Sequence, residues 1–535
     1  MKVYLIGAGP GDPDLITVKG RKILQRADAI LYDRLASPRL LDLAPAHCER
    51  IYVGKKRADH ETSQEEIGDL LIDRARRGWT VVRLKGGDPF IFARGGEEIE
   101  ALAAAGIPFE IVPGVTTPLG LAAYTGVPLT HREHSSAVTF VTGHSVNAVD
   151  WSRVGAVETI VLFMGMVNFA AIAKELIRHG RSPSTPAMAV RWATRPDQQT
   201  IVGTLADLAE LIEQSGMRPP ATIVIGEVVA LRDRFNWFER LPLFGKRIVI
   251  TRDRTQASEL SEQLEALGAE VISLPAIEIR AAADPGPLDR AIAQLNVYDW
   301  LIFTSVNGVR HFVDRLDKSR TDLRSLRARL CAIGPATRAA LEQLHLKVDR
   351  MPEEYVAESL IDAFRGEDLA GARILLPRAA VARDLVPVEL TKRGAIVEVV
   401  EAYRTVAPDD LAERAQELFL SGRDSTMDRK WKSGGNRRDD GTTPMRAAGF
   451  PRRDVAVSML RGAGSKPDWI AFTSSSTVTN FLAALKDATG REVLDGVKIA
   501  SIGPITSTTL RAHGLTVDVE ADPHTIDGLV SAITR

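Results

Sequence analysis

Two kinds of turn in this 535-residue chain are suited to gripping a ligand. The first is glycine-rich. "VYLIGAGPGDPDLITVKG" (Val3 to Gly20) runs an apolar strand into a tight turn and then into a helix. Its glycines let a ligand approach the backbone closely, and Pro10 and Pro13 stiffen the loop. The dinucleotide fingerprint G-x-G-x-x-G would use Gly7 and Gly9 and then needs a third glycine where Asp12 stands, so that signature fails. The second kind pairs Thr304-Ser305 and Thr473-Ser474, each after an apolar strand, with I-G-P turns that open helices. These turns put hydroxyls and free backbone N–H groups at helix N-termini, a natural place for carboxylates. Any one of these hydroxyls would serve equally as a simple helix cap. The chemistry implied is positioning of an anionic ligand, without a conventional nucleophile and base pair.

The elements that carry these turns alternate. From Met1 to about residue 229, short β-rich runs such as AILYD, TVVRLKG, AVTFVTG and ATIVIGEVV are separated by helical patterns. Ser37-Pro38 reads as an N-cap with an N1 proline, and Ser63 with Glu66 as a capping box whose helix stops at Gly78. This rhythm predicts α/β architecture with covered sheets. "RDRFNWFERLPLFGKR" (Arg232 to Arg247) is a junction before a fresh strand.

Beyond the junction the chain repeats itself. "DWLIFTSVNGVRHFVDRL" from Asp299 returns as "DWIAFTSSSTVTNFLAAL" from Asp468, and "AIGPATRAALEQLHLKVD" from Ala332 as "SIGPITSTTLRAHGLTVD" from Ser501, both 169 residues on. "RIVITR" from Arg247 returns as "RILLPR" from Arg373 after only 126, so the second copy holds a surplus of 43 residues. That surplus is visible at about 421–465. Ser421 to Arg453 is polar and glycine-rich, with nine Lys/Arg against four Asp/Glu, a composition that cannot bury enough apolar surface to order itself. It is read as a solvated surface insertion.

Domains of roughly 100 to 200 residues imply about three to five compact units in a chain this long. With 45% hydrophobic and 26% charged residues and a formal net charge of −1, a global nucleic-acid or membrane-surface role is excluded. Two isolated cysteines, Cys48 and Cys331, support neither a disulfide framework nor a metal centre, and a cytoplasmic location is expected. The longest apolar stretch, Thr159 to Ala173, is shorter than the ~20 residues a membrane helix needs.

Five stretches of the first half occur together: the opening loop, "LYDRLAS" from Leu31, "VGKK" from Val53, "LKGGDPFIFARGGEE" from Leu84 and "PGVTTPLGLAAYTGVPLTHRE" from Pro113. With "FMGM" from Phe163, they closely resemble the tetrapyrrole (precorrin) methyltransferase family, in its uroporphyrinogen-III C-methyltransferase branch, over about residues 1–240. The resemblance implies two α/β subdomains with S-adenosylmethionine, the methyl donor, in the cleft between them. It implies a cofactor cleft lined by Pro10, Gly86, Gly87, Asp88, Ile91, Thr116, Thr117, Met164 and Ala193. The family commonly has glycine at Ala193 and alanine at Thr117. Asp33 would accept the proton released on carbon methylation and Lys55 would donate one, while Arg34, Arg132 and His131 would meet substrate carboxylates. Read without the family, Asp33 would cap a turn and Lys55 would belong to a solvated basic cluster. The family also implies a homodimer through this half.

Residues 245–535 resemble uroporphyrinogen-III synthase, through the doubled T-S and I-G-P turns. The resemblance implies two α/β lobes, one made of 245–278 and 404–535 and the other of 279–403, acting on hydroxymethylbilane with no cofactor. Thr304, Ser305, Thr473 and Ser474 would bind substrate, and Tyr403 in "VEAYRT" would assist departure of its hydroxyl or simply pack at the hinge. No metal, nucleic acid or membrane partner is expected. Two alternatives stand beside the bifunctional reading: methylation of a later precorrin, and a carboxy-terminal half that is a two-lobed ligand-binding regulator.

Overall fold

Alternating apolar strands and capped helices build four five-stranded sheets in the computed structural model, which describes residues 2–54, 62–252, 258–382, 384–420, 466–485 and 493–535. Lys55 and the insertion at about 421–465 lie outside the described residues.

The first sheet holds β1 (Lys2–Gly7), β2 (Ala29–Tyr32), β3 (Glu49–Tyr52), β4 (Thr80–Lys85) and β5 (Phe109–Val112) in the order β3-β2-β4-β1-β5, all parallel. Parallel strands are covered on both faces, so β1 sends Val3 and Leu5 to one core and Ile6 to the other. The second sheet is mixed: β6 (Val138–Thr142), β7 (Thr159–Phe163), β8 (Pro186–Arg191), β9 (Gln199–Thr204) and β10 (Ala221–Ile225), ordered β6-β7-β10-β8-β9. Only β6 and β7 pair in parallel; β10 is antiparallel to both of its neighbours, β7 and β8, and β9 is antiparallel to β8.

Local signals place the helices. Ser63 Oγ accepts from Glu66 N at 3.1 Å and Glu66 Oε2 accepts from Ser63 N at 2.6 Å, which starts the helix Gln64–Arg76. Its buried Ile67, Leu71 and Ala75 recur every four residues, the stripe that packs on the sheet. Ser37 departs from expectation. Pro38–Leu43 is a 3-10 turn, and the Ser37 side chain makes no capping bond there.

β11 (Arg247–Ile250) and β12 (Glu270–Ser273) begin a third sheet, and β13 (Glu278–Ala281), β14 (Trp300–Phe303), β15 (Arg329–Ala332), β16 (Arg373–Ala379) and β17 (Ile396–Val406) form a fourth, ordered β13-β17-β16-β14-β15. β18 (Trp469–Phe472), β19 (Lys498–Ser501) and β20 (Val519–Glu520) complete the third as β12-β11-β18-β19-β20. The repeat is exact in its bonding. Asp299 accepts from Arg373 N at 2.8 Å and Asp468 from Arg247 N at 2.9 Å; Asp349 accepts from Leu330 N and Asp518 from Ile499 N, both at 2.7 Å. The equivalent strands β11 and β16 are therefore exchanged: each sits in the sheet built mainly from the other copy. Within the fourth sheet β17 runs parallel to β16 and then, beyond a bulge, antiparallel to β13.

Candidate functional site

Three glycine turns leave the carboxyl ends of β1, β4 and β5 and touch backbone to backbone. A Cβ on Gly7 would stand 2.5 Å from Gly114 Cα, and one on Gly114 would stand 2.3 Å from Gly87 O. Gly9 and Gly87 form a two-bond bridge, N–H to carbonyl at 3.3 and 2.7 Å, and Gly87 holds φ +68°, a conformation glycine adopts without strain. Asp88 fastens the cluster, accepting from Phe90 N at 2.8 Å and from Gly114 N at 3.0 Å. The helix Thr117–Thr125 starts beside it. Thr117 Oγ1 would lie 3.5 Å from a Cβ on Gly87, and Pro10 packs on Gly120. Pro10, Gly87, Asp88, Thr116 and Thr117 thus share one glycine-walled cradle, with Gly86 pressed against Leu35.

The second sheet presents its own edge. Phe163 and Met164 leave β7, and Trp192, Ala193 and Thr194 leave β8. Thr194 Oγ1 accepts from Asp12 N at 2.9 Å, and the Phe92 and Phe163 rings lie 4.8 Å apart, so the opening loop and the loop after β4 both reach this edge. Among the described residues, six non-glycines have positive φ, and Phe92, Arg94, Met164, Trp192 and Thr194 are five of them. Strain of this kind, ~1–3 kcal/mol per residue, collects at ligand clamps because the surroundings hold it there. Ile91 is half-buried beside Phe92, Ala193 is buried, and the Met164 side chain is exposed.

Asp33 sits just past β2. Its Oδ1 accepts from Leu35 N at 3.0 Å and its Oδ2 from Arg83 Nη2 at 3.1 Å. Behind it lies an ion cluster on the helix-covered face of β4. Glu98 Oε1 accepts from Arg83 Nε at 3.1 Å, Lys85 Nζ at 2.6 Å and Gln64 Nε2 at 3.0 Å, while Oε2 has no partner among the described residues. Burial, with Arg83 beside it, pulls the Lys85 pKa down from the ordinary lysine range, and Glu98 offsets part of that. Arg34 and Arg132 are both exposed, Arg132 on the turn His131–Ser135 that an antiparallel bridge closes. On the same turn the ligand atoms of His131, Glu133 and His134 come within 4.8 Å of one another.

In the second half the T-S turns behave alike. Ser305 Oγ accepts from Gly308 N at 3.0 Å to cap the helix Val306–Asp317, and Ser474 Oγ accepts from Thr477 N at 3.3 Å to cap Ser475–Ala484. The caps are the serines; Thr304 and Thr473 precede them, half-buried. Tyr403 is buried in β17, with its hydroxyl 2.9 Å from Ser305 Oγ and its ring stacked on His311 at 5.7 Å and 17°. Burial lowers the His311 pKa, Arg310 and Lys318 add to this, and Asp314 opposes it. Each I-G-P turn opens a helix under an aromatic ring, Tyr355 over Gly334 and His524 over Gly503, again 169 residues apart.

The family model of the tetrapyrrole (corrin/porphyrin) methylases matches residues 2–209, and that of uroporphyrinogen-III synthase HemD matches residues 258–531. A porphyrin biosynthesis protein HemD of Ruminiclostridium josui is 31% identical across 99% of this chain and 97% of its own length. The chain belongs to the HemD synthase family and carries a tetrapyrrole methylase in front of it. A siroheme synthase of Pseudomonas putida is 52% identical over 242 residues, covering 44% of this chain and 52% of that protein, so the chain spans about half the length of the siroheme synthases it matches. A uroporphyrin-III C-methyl transferase structure from Thermus thermophilus, complexed with S-adenyl homocysteine, is 43% identical and covers 43% of this chain and 100% of that one, with TM-score 0.38.

Sequence reasoning missed the cluster behind Asp33 in the methylase half. Its signal is present: Arg83 and Lys85 alternate on the inward face of an otherwise apolar strand, which demands a buried counter-charge. His311 in the synthase half carries no such signal, because only the docking of β17 brings Tyr403 over it.

Proposed function

We propose that this chain performs two consecutive steps of tetrapyrrole synthesis. The lobes of the synthase half close hydroxymethylbilane into uroporphyrinogen-III, and the methylase half methylates that macrocycle twice to precorrin-2. One observation carries the reading: both family matches lie in one chain with end-to-end similarity to a porphyrin biosynthesis protein, and one half consumes what the other makes.

We assign residues 1–240 to the methylase and 245–535 to the synthase, with lobes 245–278 plus 404–535 and 279–403. The methylase cradle suits S-adenosylmethionine, because the close backbone packing of Gly7, Gly87 and Gly114 draws three turns together at the carboxyl ends of β1, β4 and β5, where backbone groups can line a ligand. When bound, that molecule supplies an activated methyl group. Pro10, Gly86, Gly87, Asp88, Ile91, Thr116, Thr117, Met164 and Ala193 would hold it. Orientation of two reactants is worth up to ~7–11 kcal/mol, so positioning by backbone suffices for a reagent this reactive. Asp33, held by Arg83, would accept the proton released as the methylated pyrrole system rearranges, and Lys55 would return one. Arg34 and Arg132 would meet carboxylates of the macrocycle. In the synthase, Tyr403 would donate a proton to the departing hydroxyl, and the Thr304-Ser305 and Thr473-Ser474 turns would seat the substrate. No helix among the described residues is long and apolar enough to cross a membrane, and Cys48 and Cys331 are free and buried, which supports a cytoplasmic enzyme. A homodimer through the methylase half is proposed with it.

The test is incubation of the full chain with hydroxymethylbilane, with and without S-adenosylmethionine, followed by isomer analysis and mass spectrometry. Type-III ring alone, then type-III ring carrying two added methyls, is expected. A type-I ring only would end the synthase reading, and an unmethylated type-III ring the methylase reading.

A further inference from the structure

At the end of β8 the chain crowds positive charge against the methylase cleft. Arg191 is the last residue of β8 and Arg195 lies four residues on; both guanidiniums stand near the Trp192 ring, at 5.6 and 4.4 Å from its centroid. Trp192 and Thr194 hold φ of 53° and 70°, so the loop is kept in a costly shape by its surroundings. The loop abuts the opening glycine turn. A Cβ on Gly11 would lie 2.8 Å from Arg195 Cγ, and Thr194 holds Asp12 N.

The two arginines are not equivalent. Arg195 is neutralised by a two-bond pair with Asp197, at 2.8 and 3.0 Å. Arg191 gives one long bond, Nη1 to Gln199 Oε1 at 3.4 Å, and its Nε is buried without a hydrogen-bond partner among the described residues. Burial is the first cause that lowers the Arg191 pKa, and after the opposing Asp197 the charges of Arg195, Arg218 and Arg34 lower it further. Arg34 belongs to the loop after β2, so the field at Arg191 comes from both sheets. A guanidinium held among like charges with a donor unused is stabilised when a carboxylate arrives, since the fork matches two carboxylate oxygens.

We propose that Arg191 is a carboxylate-binding residue of the methylase cleft, taking a peripheral carboxylate of the macrocycle between the Trp192 loop and the opening glycine turn. The inference rests on the methylase reading above. A carboxylate could also come from the amino-acid end of the methyl donor, and the experiment separates the two.

Arg191→Gln and Arg191→Lys are made in the full chain, and methylation of uroporphyrinogen-III is measured with each substrate varied. Binding of S-adenosylhomocysteine is measured by calorimetry, and folding by thermal melting. Wild-type methylation in the same assay establishes the underlying reading; if wild type is inactive, that reading fails and the variants are judged on calorimetry. Arg191→Gln is expected to raise KM for the macrocycle roughly 10- to 100-fold, the loss of a charge-assisted hydrogen bond, with S-adenosylhomocysteine affinity within about twofold. Arg191→Lys is expected to recover part of the loss, because it keeps the charge and loses the fork. Weakened S-adenosylhomocysteine binding with an unchanged macrocycle KM would overturn the macrocycle as occupant, and no change in either, with an unchanged melting curve, would overturn the site.

Discussion

The Tyr403 hydroxyl lies 2.9 Å from Ser305 Oγ across 98 residues of sequence, joining strand β17 to the N-terminus of the helix Val306–Asp317. Ser305 Oγ is already committed to Gly308 N, so one serine both caps the helix and fixes the tyrosine.

Ser305→Ala should therefore cost about 0.5–2 kcal/mol as a lost cap. It should also slow ring closure by leaving the Tyr403 hydroxyl unheld. Tyr403→Phe leaves the cap intact, so it should slow closure with a nearly unchanged melting temperature. Equal losses of stability in both variants would contradict this division.

His311 stacks on Tyr403 in its neutral form. Burial places its folded pKa below the unfolded value near 6.5, so protonation favours the unfolded chain. Stability should fall as pH drops through that value and level off below the folded pKa. His311→Phe keeps the stacking surface and removes the titration. Its melting temperature relative to wild type should rise between pH 7.5 and pH 5.5, and a pH-independent difference would remove His311 from the account.

Glu98 is the shared acceptor of Arg83 and Lys85, and Arg83 holds Asp33. Glu98→Ala strips buried Lys85 of its carboxylate and leaves Arg83 with Asp33 alone, which should cost about 3–5 kcal/mol, seen in urea unfolding of the full chain. Asp33→Asn preserves the fold and should lower methylation about 10²- to 10⁴-fold, the usual worth of a general base. Ring closure by the synthase half should be untouched by Asp33→Asn, which provides the internal control.

Gly114→Ala forces a Cβ to 2.3 Å from Gly87 O and 2.7 Å from Gly7 Cα. Because backbone cannot step aside as a side chain does, about 1–3 kcal/mol of overpacking strain and loss of S-adenosylhomocysteine binding are expected. Gly96, in the helix Gly95–Ala104, meets nothing within 4 Å, so Gly96→Ala should instead stabilise by up to ~1 kcal/mol. Calorimetry on both variants separates crowding from the generic effect of replacing glycine.

What the residue order determined by itself is local or periodic. Ser63 with Glu66, the glycine turns after apolar strands, the T-S caps and the 169-residue repeat all follow from neighbours along the chain, because caps and turns are satisfied within a few residues. Even there, Ser37 shows that a cap residue at the right place in sequence can go unused: its side chain makes no bond to the 3-10 turn Pro38–Leu43. The tertiary structure alone decided which distant groups meet. It set Arg83 and Lys85 against Glu98, laid Tyr403 on Ser305 and His311, and left Arg191 crowded beside Arg195. The physical reason is that strand pairing and the burial of charge are settled by how sheets close over long stretches of chain. Burial turns a charge that is cheap in water into one that must find its partner.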